Sequence, residues 1–242
     1  MPIGVREAPL MLRQHPCGHL RAVSVMIWLL VLASCSISRE PPEPHAVGIQ
    51  AQGCGPGLQK GSGFLVAPNV VLTSAHVIAG AETITVLTAD KRETEAAVVG
   101  FDPDMDLAYL HTAPDLGPLP TMPDIGSDDV EAGATGRALV FRDGASTELD
   151  VVVRRRVRIN TEDIYVQGDV TRPGFELTAD IEPGDSGGVV FVEGKVVGVL
   201  WARSRRGGHR AYAIDVERGG ELIEQQLASG DLGPQADPSR CD

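Results

Sequence analysis

The chain has 242 residues, 43% hydrophobic and 22% charged, which suffices for one large globular domain or two small ones with a buried core. Aromatics make up only 4%, and short valine-rich runs broken by Gly and Pro favour strands over helices. A formal net charge of -12 repels phosphates, so no nucleic-acid partner is expected.

The N-terminus is a different kind of sequence. Residues 1–34 carry Arg6, Arg13 and Arg21 against one acid, Glu7, and end in the apolar run "AVSVMIWLLVLAS" from Ala22 to Ser34. Thirteen residues are short of the about 20 that span a bilayer but suit the core of an export signal. The run closes on Leu32-Ala33-Ser34-Cys35, which resembles the bacterial lipobox, where the cysteine is lipidated and becomes the new N-terminus. An ordinary cleaved signal and an uncleaved anchor are the other readings. Residues 36–53, rich in Pro and Glu at the start, read as an extended tether, and residues 54–242 as the folded domain. From Cys35 onward 18 basic and 32 acidic residues leave -14, so the acidity belongs to the exported part. Export to an oxidising compartment makes Cys54 and Cys241 a candidate disulfide, worth about 4–5 kcal/mol for so long a loop. Unpaired thiols or intermolecular pairing are the alternatives.

Twelve runs then follow at strand spacing: "GFLV", "VVLTSAHVI", "TITVLT", "AAVVGF", "LAYLHT", "RALVF", "DVVVRRRVRI", "DIYVQG", "FELTADI", "VVFVEG", "KVVGVLWA" and "AYAIDV". They predict an all-β architecture of about twelve antiparallel strands, as two barrels or a large sandwich. Gly194 marks a hairpin turn. Helix is expected only as a short turn over Ser74–Gly80 and as a C-terminal helix over Val216–Gly230, and no internal repeat is visible.

Ser186 lies in "EPGDSGGVVF", whose glycines, aspartate and serine by themselves indicate only a turn. A serine nucleophile needs a base, and His76 in "VVLTSAHVI" follows an apolar strand in a small-residue turn from which an imidazole can reach a cleft. The histidine needs a third group to hold its tautomer; Asp106 in "DPDMDLAYL" directly precedes an apolar run, which favours it over Asp102 and Asp104.

The order "TSAHV", "DMDLAYL" thirty residues on and "GDSGG" eighty beyond resembles the trypsin/chymotrypsin-fold serine peptidases, over about Gly61 to Val216. The "GSGF" of Gly61 to Phe64 resembles the bacterial envelope branch with the HtrA-like peptidases. "RRRVRINTEDIY" with "ADIEPGDSGG" is most similar to the catalytic domain of actinobacterial membrane-anchored periplasmic serine peptidases. The resemblance implies two six-stranded antiparallel barrels with a C-terminal helix and an endopeptidase acting on protein or peptide substrates. It implies Ser186 as nucleophile, His76 as base, Asp106 as its orienting carboxylate, and the N–H groups of Gly184 and Ser186 as the oxyanion hole. No cofactor or metal is expected, since neither a zinc-type Cys/His pattern nor a phosphate-binding glycine loop occurs. A catalytically idle peptide-binding module is the alternative.

Three further expectations concern the surroundings of Ser186. In trypsin-like zymogens the aspartate before the serine is neutralised by a newly cut N-terminus, and no "IVGG"-type start exists here. Asp185 is therefore expected to pair with an internal arginine, Arg142 or one of Arg154, Arg155 and Arg156. Asp180, six residues before Ser186, stands where digestive trypsins place the acid that selects Lys or Arg. Leu200, Trp201 and Ala202, within "GVLWARS", are expected on a strand edge that pairs with substrate backbone. The basic run at residues 154–158 reads as a strand face with local acidic partners rather than a polyanion site.

Overall fold

The computed structural model describes residues 45–53, 57–112, 116, 124–204 and 209–219. The first six strands are β1 (Ala46–Gly53), β2 (Gln59–Ala67), β3 (Val70–Thr73), β4 (Ala81–Leu87), β5 (Glu93–Asp102) and β6 (Leu107–Thr112). They close into a barrel in the order β1-β2-β3-β6-β5-β4. The second six, β7 (Thr135–Arg142), β8 (Ala145–Glu162), β9 (Asp169–Thr178), β10 (Val189–Val192), β11 (Lys195–Arg203) and β12 (Arg210–Asp215), close in the order β10-β11-β12-β9-β8-β7. Counted from its own first strand, each barrel has the same order, a duplication of topology that leaves no visible repeat in the sequence. Two short helices, α1 (Ala75–Ile78) and α2 (Val216–Gly219), complete the described elements. No helix among the described residues is long and apolar enough to cross a membrane.

Strand alternation sorts the apolar residues into three layers. Val47, Ile49, Val71 and Leu110 fill the first barrel, and Val140, Phe175, Val190 and Leu200 fill the second. Between the barrels lies a third cluster: Phe64, Leu72 and Tyr109 meet Leu139, Val189, Phe191 and Val199. This is why β3 and β10 are buried along their whole length, since successive residues face a barrel interior on one side and the other barrel on the other. Phe64 and Phe191 meet edge to face at 5.6 Å in the middle of that seam.

Two boundaries differ from the sequence-based expectation. Residues 46–53 are not tether: β1 pairs with both β2 and β4, Val47, Ile49 and Ala51 point inward, and Gly48 leaves room for the Phe141 ring. The run "DIYVQG" is not a strand but the turn joining β8 to β9, because Asp163 accepts from the Tyr165 and Gln167 N–H groups at 2.7 and 3.1 Å. The Glu193–Gly194 hairpin has positive φ at both residues, 51° and 78°, as a two-residue turn between twisted strands requires. The C-terminal helix begins at Val216, and its continuation to Gly230 lies outside the described residues, as do Cys35, Cys54, Cys241 and the export segment.

Three of the four arginines of β8, Arg154 to Arg156, turn to acids of their own barrel. Arg154, Arg155 and the β12 residue Arg210 converge on the buried Glu176 at 3.1, 2.7 and 3.0 Å, and Arg156 pairs with the buried Asp215 while covering the Phe175 ring. Burial alone would raise the Glu176 carboxyl, but the Arg155 hydrogen bond and the three guanidinium charges outweigh it and hold the group below its ordinary value.

Two outcomes follow. Phe64→Ala, which opens the seam between the barrels, should lower stability by about 3–5 kcal/mol, read as a reduced urea midpoint with an unchanged m-value. The depressed carboxyl of Glu176 contributes stability above the ordinary glutamate value of about 4.3, and that contribution disappears as pH falls through the lower folded value. Glu176→Gln should therefore flatten the decline of the urea midpoint on the acid side; an unchanged decline would contradict this.

Candidate active site

His76 stands in α1, the single turn that follows β3. Ser74 at its N-cap does not cap it; its buried hydroxyl donates to the Leu200 carbonyl at 3.2 Å and so ties the turn to β11 of the other barrel. Asp106 directly precedes β6 and has a φ of 58°, the left-handed region that aspartate tolerates better than most residues. In that conformation Oδ1 accepts from the His76 backbone N–H at 2.7 Å, Oδ2 faces His76 Nδ1 at 2.8 Å, and the Asp106 carbonyl accepts from the Ala75 N–H at 3.2 Å. A ring nitrogen facing a carboxylate carries the proton, which leaves Nε2 as the acceptor. Asp106 is 1% exposed and His76 36%, so the carboxylate is sealed while the imidazole remains reachable. Asp102 instead holds its own turn, accepting from the Asp104 and Met105 N–H groups, and Asp104 is exposed.

Ser186 lies in the loop before β10. Its hydroxyl donates to the Trp201 carbonyl at 3.4 Å, and its own carbonyl accepts from the Ser62 N–H at 2.8 Å. Gly184 has a φ of 103° with open space where a Cβ would stand, so the backbone conformation rather than crowding requires glycine. At Gly187 both reasons apply: φ is 88°, and a Cβ would lie 2.0 Å from the Ser62 carbonyl oxygen. At Gly61 a Cβ would lie 2.5 Å from Val77, the neighbour of His76, and 3.1 Å from the Ser186 carbonyl oxygen. The two halves of the site thus approach each other across a strand that carries no side chain at the meeting point.

Asp185 is 1% exposed and its cation is Arg142. Arg142 Nε and Nη2 donate to its two carboxylate oxygens at 2.9 and 2.5 Å, a forked pair that raises the guanidinium pKa through the Asp185 hydrogen bond. The same Nη2 donates to the Asp180 carbonyl, and the Glu182 N–H donates to Asp185 at 2.7 Å, so the whole 180–185 turn is held by one ion pair. Asp180 itself does not have the setting of a pocket base. Its side chain is 81% exposed and faces His209 at 3.3 Å, and a charge-selecting acid has to be shielded to discriminate. In β11, pairing with β10 reaches Val189↔Val199, after which Leu200 bonds to Gly187 and Gly188, and Trp201 and Ala202 run past the end of β10.

Two residues of the site had no signal of their own in the sequence. Ser62, fully buried, donates its hydroxyl to the Gly184 carbonyl at 3.0 Å, accepts from the Phe141 N–H at 2.9 Å, and offers its carbonyl to Thr73 Oγ1 at 2.7 Å. It lies inside "GSGF", and the glycines on either side, which admit Val77 and Val71 against the backbone, were the available hint. Arg172, also fully buried, reaches from β9 to the Asp102–Asp106 turn of the other barrel. No group of His, Cys, Asp and Glu among the described residues has the arrangement of a metal site.

Residues 61–199 match the family model described as a trypsin-like peptidase domain. The chain is 36% identical over 198 residues to the serine protease Rv3671c of Mycobacterium tuberculosis, covering 79% of this chain and 48% of that one. It is 30% identical over 201 residues to a probable periplasmic serine endoprotease, DegP-like, of Pseudomonas fulva, covering 81% and 40%. The chain thus spans about half the length of the curated relatives it matches. The crystal structure of the Rv3671c protease in its active form superposes with a TM-score of 0.71 at 26% identity, covering 97% of this chain and 99% of that one. Two barrels of equal strand order, a sealed Asp-His pair and a glycine-framed serine agree with that match, and the chain belongs to the trypsin-like peptidase family.

Proposed function

We propose that the protein is an exported serine endopeptidase in which Ser186, His76 and Asp106 form the catalytic triad. The observation that carries this reading is the buried Asp106 carboxylate committed to His76 at Nδ1 and at the backbone, with Ser186 held in the facing loop. The long Ser186 bond to the Trp201 carbonyl gives way when the hydroxyl turns to His76 Nε2. Ser186 Oγ then attacks the substrate carbonyl carbon as its proton passes to Nε2, and Asp106 stabilises the imidazolium. The oxyanion is met by the N–H groups of Gly184 and Ser186. As it collapses, the C–N bond breaks, His76 gives its proton to the leaving amine, and an acyl-enzyme remains for water to hydrolyse by the same route. Substrate backbone lies along the Trp201–Ala202 edge of β11, a mode that reads extended shape more than side-chain identity.

The apolar segment at residues 22–34 and the periplasmic endoproteases among the relatives support an extracytoplasmic location, with a lipid on Cys35 or an uncleaved signal anchor as the tether. The reading of an idle peptide-binding module is separated from catalysis by one experiment. A fluorophosphonate probe should modify the chain covalently, Ser186→Ala should abolish the modification, and Asp106→Asn should slow it by about 10⁴-fold. Absence of labelling at any pH in the folded chain would leave only the binding module.

The Arg142–Asp185 pair predicts a second result. Arg142→Met strands a buried carboxylate beneath the oxyanion loop and should cost about 3–5 kcal/mol in stability together with most of the labelling rate. Arg142→Met combined with Asp185→Asn should recover part of the stability, measured by urea unfolding. No recovery would mean that the pair is not the reason for the loss.

A further inference from the structure

Arg172 is the largest fully buried side chain among the described residues. It leaves β9 opposite Ile159 and crosses to the first barrel, where Nε donates to the Asp104 carbonyl at 2.5 Å and Nη2 to the Pro103 carbonyl at 3.2 Å. Nη1 lies 3.9 Å from Asp106 Oδ2, and the Trp201 ring covers the guanidinium, whose Cζ is 5.2 Å from the ring centroid. Burying a guanidinium is costly, and a strand residue needed only for packing would be apolar.

Two features of this placement bear on His76. The strong bonds of Arg172 go to backbone carbonyls, so they fix the turn in which Asp106 takes its left-handed conformation while leaving Oδ2 to His76 Nδ1. At 3.9 Å the guanidinium acts on Asp106 through its field alone. The charged groups facing Arg172 are the carboxylates of Asp102, Asp104, Asp106 and Asp163, and those facing Asp106 are His76 and Arg172 itself. Three of the four acids come from five consecutive residues, "DPDMD", and without a cation their combined field would favour the protonated imidazole.

We propose that Arg172 is a positioning residue for the triad: it locks the Asp102–Asp106 turn and offsets its carboxylates, so that Asp106 stays committed to His76 Nδ1 while Ser186 gives up its proton. The inference rests on the triad reading above.

The test is the pH profile of fluorophosphonate labelling, with the folded fraction of each variant followed by circular dichroism. Arg172→Lys keeps the charge and loses the fork, and should label about tenfold more slowly with the acid limb in place. Arg172→Met loses both, and should label about 100-fold more slowly with the acid limb moved up. In proton NMR the downfield resonance of the His76–Asp106 hydrogen bond, assigned by its loss in His76→Ala, should persist in Arg172→Lys and broaden in Arg172→Met. A folded Arg172→Met with the acid limb and downfield resonance of the unmodified chain overturns the proposal. If Arg172→Met does not fold, Arg172→Lys decides: a slower rate on an unmoved limb supports the role, and an unchanged rate overturns it. Labelling of the unmodified chain that Ser186→Ala abolishes keeps the triad reading standing whichever way Arg172 falls, whereas a chain that never labels sinks both.

Discussion

A carboxylate taken out of water needs a cation, and that constraint organises this molecule. Asp106, Glu176, Asp185 and Asp215 are each 2% exposed or less. Arg172 faces the first, Arg154, Arg155 and Arg210 the second, Arg142 the third, and Arg156 with Arg218 the fourth. All of these arginines but Arg218 belong to strands of the second barrel, β7, β8, β9 and β12, although Asp106 belongs to the first. The compensation is uneven. At Glu176 the arginines outweigh burial, whereas at Asp215 burial is the larger influence and the carboxyl sits above its ordinary value despite Ser127 and Arg156. Replacing an arginine by an apolar residue would cost most where it is the carboxylate's one guanidinium, as at Asp185, whereas at Glu176 two guanidiniums would remain.

The other constraint is that two closed barrels offer each other no free strand edges, so they can be joined only by side chains and loop backbone. Ser62 supplies such a joint. Through one N–H, one hydroxyl and one carbonyl it binds the Ser186 and Gly184 carbonyls, the Phe141 N–H and the Thr73 hydroxyl, which ties the Ser186 loop to β2, β3 and β7. Ser74 adds a bond to Leu200 beside it. With Arg142 already on Asp185, the 180–185 turn has its cation within the chain and does not wait for a new N-terminus to supply one.

The parts legible in the sequence were those carried by local chemistry. The valine-rich runs gave the strand content, the hairpin at Gly194 followed from turn stereochemistry, and the position before "LAYL" pointed to Asp106, the carboxylate that faces His76 Nδ1. The misses have equally local causes. Pro and Glu at residues 40–44 lent a tether character to the next eight residues, which are in fact β1. The alternation in "DIYVQG" imitated a strand until Asp163 turned its oxygens back on the following N–H groups. Asp180 was placed by its spacing from Ser186, but spacing does not report burial, and its side chain faces solvent and His209. Arg142 could be named because Asp185 demanded a cation. Arg172 could not, because its hydrogen-bond and ion-pair partners lie 66 to 69 positions away in the other barrel.

The early start of β1 also limits where an anchored form of this protein could work. Ala46 is already hydrogen-bonded into the first barrel, opposite Phe64 and to the Ser146 hydroxyl. If Cys35 carried a lipid, ten residues would separate it from Ala46, and ten residues reach at most about 35 Å when fully extended. A domain so tethered would have its first strand held within that distance of the bilayer, a limit set by β1 rather than by the anchor.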